Sequence, residues 1–304
     1  MRTSEFPYFR FSFPEFNKAQ EAAIPYVAAD VNLVVSFPTA TGKTAIAEAA
    51  FGYHLGCSTG RCVYLSPYRS LSAEKYRRWI NRSGLCERGI ALSTGDRVAT
   101  LDELQRARLI LLTTESFDAR TRSCAHKRWL SEVCCVVVDE AHLIGQKGRG
   151  GSVEVGLMRF TKANPTARII TLSATMSNAG QVARWVKSLN GKRTIKACGD
   201  WRPSKIITRF FTTNESDWDG KLRAAIERIS EASPGEKVIA FVHSKRFGKE
   251  LAQAAKGHGI SCAFHNASLS PKRREKIERE FDDPTSGLDV LISTSTLSAG
   301  VNIG

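Results

Sequence analysis

Two short segments carry residue types suited to phosphate chemistry. The first is Phe37-Pro38-Thr39-Ala40-Thr41-Gly42-Lys43-Thr44, which follows the apolar run Val31 to Phe37 and opens a helical pattern at Ala45. A strand, a tight loop and a helix start in that order turn backbone N–H groups and the positive end of a helix dipole toward an anion. Lys43 would add a point charge at the β/γ-phosphates of a nucleotide, and Thr44 a hydroxyl for Mg²⁺. Phe37 stands where such loops usually begin with glycine, so an ordinary strand-to-helix turn that happens to carry a lysine is the alternative. The second segment, Val136-Val137-Val138-Asp139-Glu140-Ala141-His142, ends a buried apolar run in two adjacent carboxylates. Successive strand side chains point to opposite faces, so Asp139 and Glu140 reach one site only if the chain turns there. One carboxylate would hold the Mg²⁺ shell through water and the next would orient and deprotonate an attacking water. The plainer reading is a charged pair capping the following helix.

Both segments need a scaffold that ends strands side by side. Short apolar runs at Leu33–Phe37, Val63–Leu65, Ile90–Leu92, Leu109–Leu112, Val133–Val138 and Ile169–Leu172 alternate with amphipathic stretches at 43–55, 71–80, 153–162 and 179–189. That alternation predicts an α/β architecture with parallel strands covered by helices on both faces, the ligand site lying at the carboxyl ends. Lys196 to Ser204 breaks the pattern with Cys198-Gly199-Asp200-Trp201-Arg202-Pro203 and reads as a connector with a Trp anchor. Beyond it a second alternation follows, with helices at 219–231, 245–256 and 271–281 and strands at Val238–Val242, Ser261–Phe264 and Val290–Ser293. Two domains are expected, 1–199 and 200–304.

The 304 residues carry a formal charge of +14. Residues 1–200 hold 28 Lys/Arg against 17 Asp/Glu, and residues 201–304 hold 16 against 13, so the excess lies in the first two-thirds. Such a balance favours a polyanion partner over an acidic protein or a neutral metabolite. The eight cysteines lack metal-ligand spacing, and Cys134 and Cys135 are adjacent in an apolar run; they read as free thiols of a reducing compartment. With no membrane-length apolar run and no signal-peptide pattern, a soluble protein is expected, cytoplasmic or nuclear and without a membrane partner.

Two weaker features complete the set. Ser173-Ala174-Thr175 follows Ile169–Leu172 at another strand end, where small hydroxyls can hydrogen-bond the Asp-Glu segment; alone it is merely a turn. Gln20 offers an amide with both donor and acceptor for an adenine edge.

In this order, the segments resemble the superfamily-two helicases, and more narrowly the Ski-like branch. The resemblance implies two RecA-like P-loop domains, the second incomplete, with ATP and Mg²⁺ between them and a single strand of nucleic acid crossing both. It assigns Gln20 to adenine, Pro38 to Thr44 to the phosphates, Asp139-Glu140-Ala141-His142 to a DEAH-type box with Glu140 as base, and Ser173 and Thr175 with His142 to coupling. Pro67 and Arg69 in Ser66–Leu71, Thr94 and Gly95 in Ser93–Asp96, and Thr114 and Glu115 in Thr113–Ser116 look like strand-gripping motifs. In the second half, His243 and Ser244, His265 in His265–Leu269, and Thr294 and Thr296 in Thr294–Asn302 match later strand contacts, with Gly300 and Asn302 toward ATP. Arg149-Gly150 with Glu154, and Asp200-Trp201-Arg202-Pro203, look most like the Hjm/HelQ-type repair helicases, which favours DNA over RNA as partner.

His265-Asn266-Ala267-Ser268-Leu269 departs from the usual His-His-Ala-Gly-Leu, and no Arg lies beyond Arg279 to supply the family's arginine finger. An excerpt of a longer protein or a truncated relative is expected, monomeric, acting on a single strand or tailed duplex. The alternative is an ATP-binding nucleic-acid module without efficient hydrolysis. A small-molecule P-loop kinase leaves the second half unexplained.

Overall fold

A computed structural model describes all residues except 86, 88, 147–149, 212–216, 233–235 and 295–304. Arg149, Thr296, Gly300 and Asn302 therefore lie outside the described residues. The chain divides into two compact units, Met1–Ile206 and Ile207–Gly304.

In the first unit the elements follow one another as α1 (Lys18–Glu21), β1 (Asn32–Ser36), α2 (Thr44–Cys57), β2 (Arg61–Ser66), α3 (Arg69–Trp79), β3 (Ile90–Ser93), α4 (Leu101–Arg106), β4 (Leu109–Thr113), α5 (Thr114–Thr121), α6 (Lys127–Ser131), β5 (Val133–Val138), α7 (Gly150–Ala163), β6 (Arg168–Ser173), α8 (Ala179–Asn190) and β7 (Thr194–Cys198). The strands form one seven-stranded sheet in the order β3-β4-β2-β5-β6-β1-β7, with every pairing parallel. Parallel strands need crossovers that cover both faces. One face is buried by α2 and the N-terminal segment, where Phe6, Phe9, Phe11 and Phe16 pack with Ile46, Phe51 and Trp79. The other is buried partly by α5 and α7 through Phe117, Leu157 and Phe160.

The N-terminal segment is a structural element in its own right, which its mixture of Phe, Pro and charge conceals. It lies so close to α2 that a Cβ on Gly52 would meet Tyr8 O at 2.6 Å and Phe9 Cβ at 2.7 Å. Arg168, at the start of β6, is buried and donates to the carbonyls of Tyr26, Val27 and Val31, tying that segment to the sheet.

The expected connector begins later than its sequence pattern indicates. Thr194–Cys198 is a strand, paired with β1 from Asn32↔Thr194 to Ser36↔Cys198. As an edge strand it buries only Ala197 and exposes Lys196, so it lacks the continuous apolar run of its neighbours. Trp201 packs against the core of the first unit as an anchor. The helices α4, α5 and α6 were not separable in the sequence from their strands, because each is eight residues or shorter.

The second unit contains α9 (Trp218–Glu231), β8 (Val238–Phe241), α10 (Lys245–Gly257), β9 (Cys262–His265), α11 (Pro271–Asp282) and β10 (Val290–Ser293). Among the described residues its strands run parallel in the order β8-β10-β9. Ile226, Ile229, Leu251, Ala255, Val290 and Ile292 form its principal core. Here every element matches its sequence expectation to within two residues.

Candidate active site

The strand order brings the candidate residues together. At the carboxyl edge of the first sheet, β5, β6 and β1 are consecutive, so Asp139, Ser173 and Ser36 end three neighbouring strands. The Ser-Ala-Thr turn thus stands between the phosphate loop and the acidic pair.

The loop from Phe37 to Lys43 is shaped by two left-handed residues, Ala40 (φ 63°) and Gly42 (φ 68°). A left-handed residue followed by right-handed Lys43 makes adjacent N–H groups converge on a concave mouth, an arrangement that binds anions. Thr39, Ala40 and Gly42 are exposed there, while Thr41 is buried and its hydroxyl donates to Pro38 O at 2.9 Å. Lys43 Nζ donates to Phe37 O (3.0 Å) and Pro38 O (2.7 Å), holding the ammonium across the loop. Burial lowers its pKa, while Asp139 and Glu140 counteract that shift through their charge. Phe37, in the place of the usual glycine, turns its ring into the core against Gly199, where a Cβ would come within 2.8 Å of the ring. Only its carbonyl serves the loop. Thr44 opens α2, half-buried.

Gln20 is buried and both ends of its amide are engaged. Oε1 accepts from Asn17 N at 3.0 Å in a capping box, and Nε2 donates to Gly42 O at 3.1 Å. Asn17 Nδ2 donates to Thr41 O at 3.1 Å. The helix α1 therefore braces the loop, and a Cβ at Gly42 would sit 2.7 Å from Gln20 Nε2.

The turn required at the acidic pair is present: Glu140 adopts φ 53°, ψ 40°. Asp139 Oδ1 accepts from Glu140 N at 2.9 Å, and Asp139 Oδ2 accepts from the Tyr64 hydroxyl. Tyr64 lies on β2 in a box of Phe51 and Trp79, and burial with the Asp139 charge raises its pKa well above the usual value, so it remains a donor. Burial first, and then the neighbouring Asp139, push the Glu140 carboxyl up to about 7, against the pull of Lys43 and Lys75. His142 Nδ1 stands 3.3 Å from Glu140 Oε2, outside hydrogen-bond alignment, and burial lowers its pKa against the opposing charge of Asp139.

Tyr64, Lys75 and Ser36 are additions to the residues expected from sequence. Ser36 Oγ donates to Ala174 O at 3.2 Å and accepts from Met176 N at 2.9 Å, fastening the Ser-Ala-Thr turn to the strand that carries the phosphate loop. Ser173 is buried with its hydroxyl unpaired among the described residues, and Thr175 is exposed. Ser36 and Tyr64 sit inside apolar runs and read as core, so only their polar atoms hint at a role.

The strand-gripping candidates divide into surface and interior. Arg69 at the start of α3 is exposed and pairs with Asp96 at 2.6 Å over Gly95, where a Cβ would lie 2.5 Å from the guanidinium. Glu115 is exposed. Pro67, Thr94 and Thr114 are buried. Thr114 Oγ1 is unpaired among the described residues and borders a hollow that Pro67, Asp139, Glu140 and Leu143 also line. Thr94 Oγ1 instead accepts from Arg97 N at 3.4 Å. In the second unit His243 and Ser244 are exposed, and Ser244 caps α10 by accepting from Phe247 N at 3.0 Å. His265 is buried, with Nε2 3.0 Å from Glu278 Oε1, and Thr294 N donates to His265 O at 3.3 Å. Glu154 Oε1 accepts from Gly145 N at 2.7 Å, closing the segment after the acidic pair.

A parallel sheet with a phosphate loop after one strand and an acidic pair after another, two places away, defines a P-loop nucleotide-binding domain. Residues 17–182 match the DEAD/DEAH box helicase family and residues 220–304 the helicase conserved C-terminal domain; the chain belongs to the DEAD/DEAH box helicase family. It is 31% identical to the ATP-dependent DNA helicase Hel308 of Thermoplasma volcanium over 93% of this chain and 45% of that protein. Against Hel308 of Pyrococcus abyssi the identity is 32%, over 93% and 43%. The chain thus spans less than half the length of these relatives, which bear out the Ski-like, repair-helicase resemblance. In fold it is similar to the Mycobacterium smegmatis helicase Lhr bound to ssDNA and AMP-PNP (TM-score 0.70, 22% identity, 97% of this chain and 41% of that one). It is likewise similar to the DUF1998 helicase MrfA bound to DNA (TM-score 0.77, 18% identity, 96% and 44%).

Proposed function

We propose that this chain is the ATP-hydrolysing motor portion of a DNA helicase that tracks along a single strand. The observation that carries this reading is the placement of Lys43 and Glu140 at one sheet edge, their strands separated only by β6 with its Ser173-Ala174-Thr175 turn. The loop N–H groups and Lys43 bind the triphosphate, and Gln20 and Asn17 hold the loop in shape. Thr44 and Asp139 offer the hard oxygen donors that suit Mg²⁺, which usually takes one or two protein groups and completes its shell with phosphate and water. When bound, that ion neutralises developing phosphate charge. Tyr64 fixes the rotamer of Asp139 and leaves one carboxylate oxygen less available to other donors. Glu140 accepts a proton from water as its oxygen bonds the γ-phosphorus and the bond to the ADP oxygen breaks.

The Ser-Ala-Thr turn supports coupling, because Ser36 joins it to the phosphate-loop strand while Ser173 ends beside β5. Arg69, exposed and paired with the exposed carboxylate of Asp96, suits a backbone phosphate, a sequence-independent contact. DNA is favoured over RNA because the Hel308 relatives are DNA helicases.

ATP turnover measured with and without single-stranded DNA tests this. Glu140→Gln should retain Mg·ATP binding and lose turnover by roughly 10²-fold or more, as removal of a general base does. Wild-type turnover in that variant would remove Glu140 from its assigned role. Arg69→Ala should lower the slope of log affinity against log salt for single-stranded DNA by about 0.7; an unchanged slope would take Arg69 off the strand path.

A further inference from the structure

Arg120, in the last turn of α5, is only 8% exposed and takes no part in the chemistry above. Among the described residues its guanidinium donates to neutral oxygens alone: Nη2 to Ser93 Oγ at 2.6 Å and Nη1 to Ser116 O at 2.9 Å. Nε is buried without a partner there, and burial draws the group below its usual pKa with no carboxylate opposing the shift. The carboxylate two residues away, Asp118, is committed to Arg122 and Arg159. Taking a charge out of water without a counter-charge is costly, so the fold retains this side chain against its own stability.

The two acceptors belong to different groups of candidate strand contacts. Ser93 ends β3 and opens the loop that carries Thr94, Gly95 and Asp96. Its buried hydroxyl also accepts from Ala99 N at 2.9 Å, so one oxygen gathers both ends of that loop. Inside the loop Thr94 N donates to Arg97 O at 2.7 Å. Ser116 lies in the first turn of α5 beside Thr114 and Glu115, and its N–H donates to Thr113 Oγ1 at 3.3 Å. The guanidinium thus spans from the loop that seats Arg69 over Gly95 to the helix start that exposes Glu115.

The helix α5 is itself held from behind. Gly156 of α7 approaches so closely that a Cβ there would meet Phe117 Cδ1 at 3.1 Å and Asp118 Cα at 3.4 Å, and Arg159 of the same helix pairs with Asp118. A loop fastened to Arg120 is therefore fastened to a fixed body.

We propose that Arg120 is a positioning residue of the strand path, a fork that holds the Ser93–Ala99 loop in register with the start of α5 so that both meet one single strand of DNA. This inference rests on the strand-tracking function proposed above. A guanidinium suits the task because its N–H groups lie in one rigid plane and fix two acceptors on different elements at a set distance and angle, whereas a lysine ammonium is a point donor on a flexible stem. Buried as it is, Arg120 acts through Ser93 and Ser116 and not on a phosphate.

Affinity for single-stranded DNA measured across a range of salt, with Mg·ATP affinity determined on the same preparations, tests this. Arg120→Lys should weaken DNA binding on the order of tenfold, the worth of one charge-assisted hydrogen bond, although the charge is kept. Arg120→Gln should weaken it similarly and leave the slope of log affinity against log salt at the wild-type value, because no phosphate contact is lost. Ser93→Ala, a small change that removes only the acceptor, should reproduce the loss and add little to it when combined with Arg120→Lys. Wild-type DNA affinity in Arg120→Lys would overturn the fork, and a slope lowered by about 0.7 in Arg120→Gln would mean direct phosphate contact instead. A fall in Mg·ATP affinity parallel to that in DNA affinity would make Arg120 a core residue only and would equally overturn the proposal. If the wild-type chain binds no single-stranded DNA, the strand-tracking function fails and this inference with it. If it binds DNA with a slope that Arg69→Ala reduces, while the Arg120 and Ser93 variants bind as well as wild type, this inference alone falls.

Discussion

Glu140 combines two costs that a structural residue would avoid: a left-handed backbone and a half-buried carboxyl beside Asp139. The first costs a non-glycine residue about 1–2 kcal/mol. The second has a pH signature. Unfolded, a Glu carboxyl titrates near 4.3, whereas folded Glu140 titrates at about 7. The folded chain holds this proton more tightly, so its contribution to stability is full below pH 4 and declines as pH rises to about 7. Glu140→Gln removes that decline. Urea denaturation should therefore show the variant gaining on the parent between pH 5 and 8, by about 1–3 kcal/mol. A difference that does not vary with pH would contradict the raised pKa. Lys43, Asp139 and Glu140 were legible in the sequence because a lysine loop and an acid pair interrupt apolar runs at strand ends. Tyr64 and Ser36 were not, since a hydroxyl inside such a run looks like any other core position until its partner strand is known. Gln20 was legible as a residue, but not as the brace that its two hydrogen bonds make it.

Among the elements, α2 bears most of the site's geometry. It starts at Thr44 and carries the packing of the N-terminal segment at its centre. Gly52 is the point of closest approach. Gly→Ala within a helix normally stabilises by about 0.5–1 kcal/mol, yet a methyl here would press on Tyr8 O and Phe9 Cβ. Overpacking of this kind costs about 1–3 kcal/mol, so Gly52→Ala should lower stability and weaken ATP binding by loosening the segment that leads to Asn17 and Gln20. Thermal unfolding with and without ATP checks this, and a variant more stable than its parent would show that the segment yields freely. The long elements were readable from period and length alone. The edge strand β7 was missed because a half-exposed strand carries Lys196 where a central one would carry valine, and α4 to α6 were missed because they are too short to display a period.

Over the whole molecule, two units differ in how completely their sheets are covered. Among the described residues the first has seven strands, with β1, β4 and β6 wholly buried; the second has three, and in its strand β8 Ile239 and Phe241 remain 38% and 58% exposed. Backbone amides of β8 should consequently exchange with deuterium before those of β1, β5 and β6. Equal protection in both units would contradict that ordering. The two-part α/β architecture was visible in the alternation of runs, while the order of the strands, which sets the Ser-Ala-Thr turn between the phosphate loop and the acidic pair, was not, because pairing is a tertiary property. That order underlies the central claim, a single ATP site served by Lys43, Asp139 and Glu140. Calorimetric titration of Mg·ATP into the wild-type chain and Lys43→Ala tests it most directly. The account predicts saturable one-to-one binding by the wild type and its loss in the variant, with circular dichroism unchanged; equal affinity in the two proteins would contradict it.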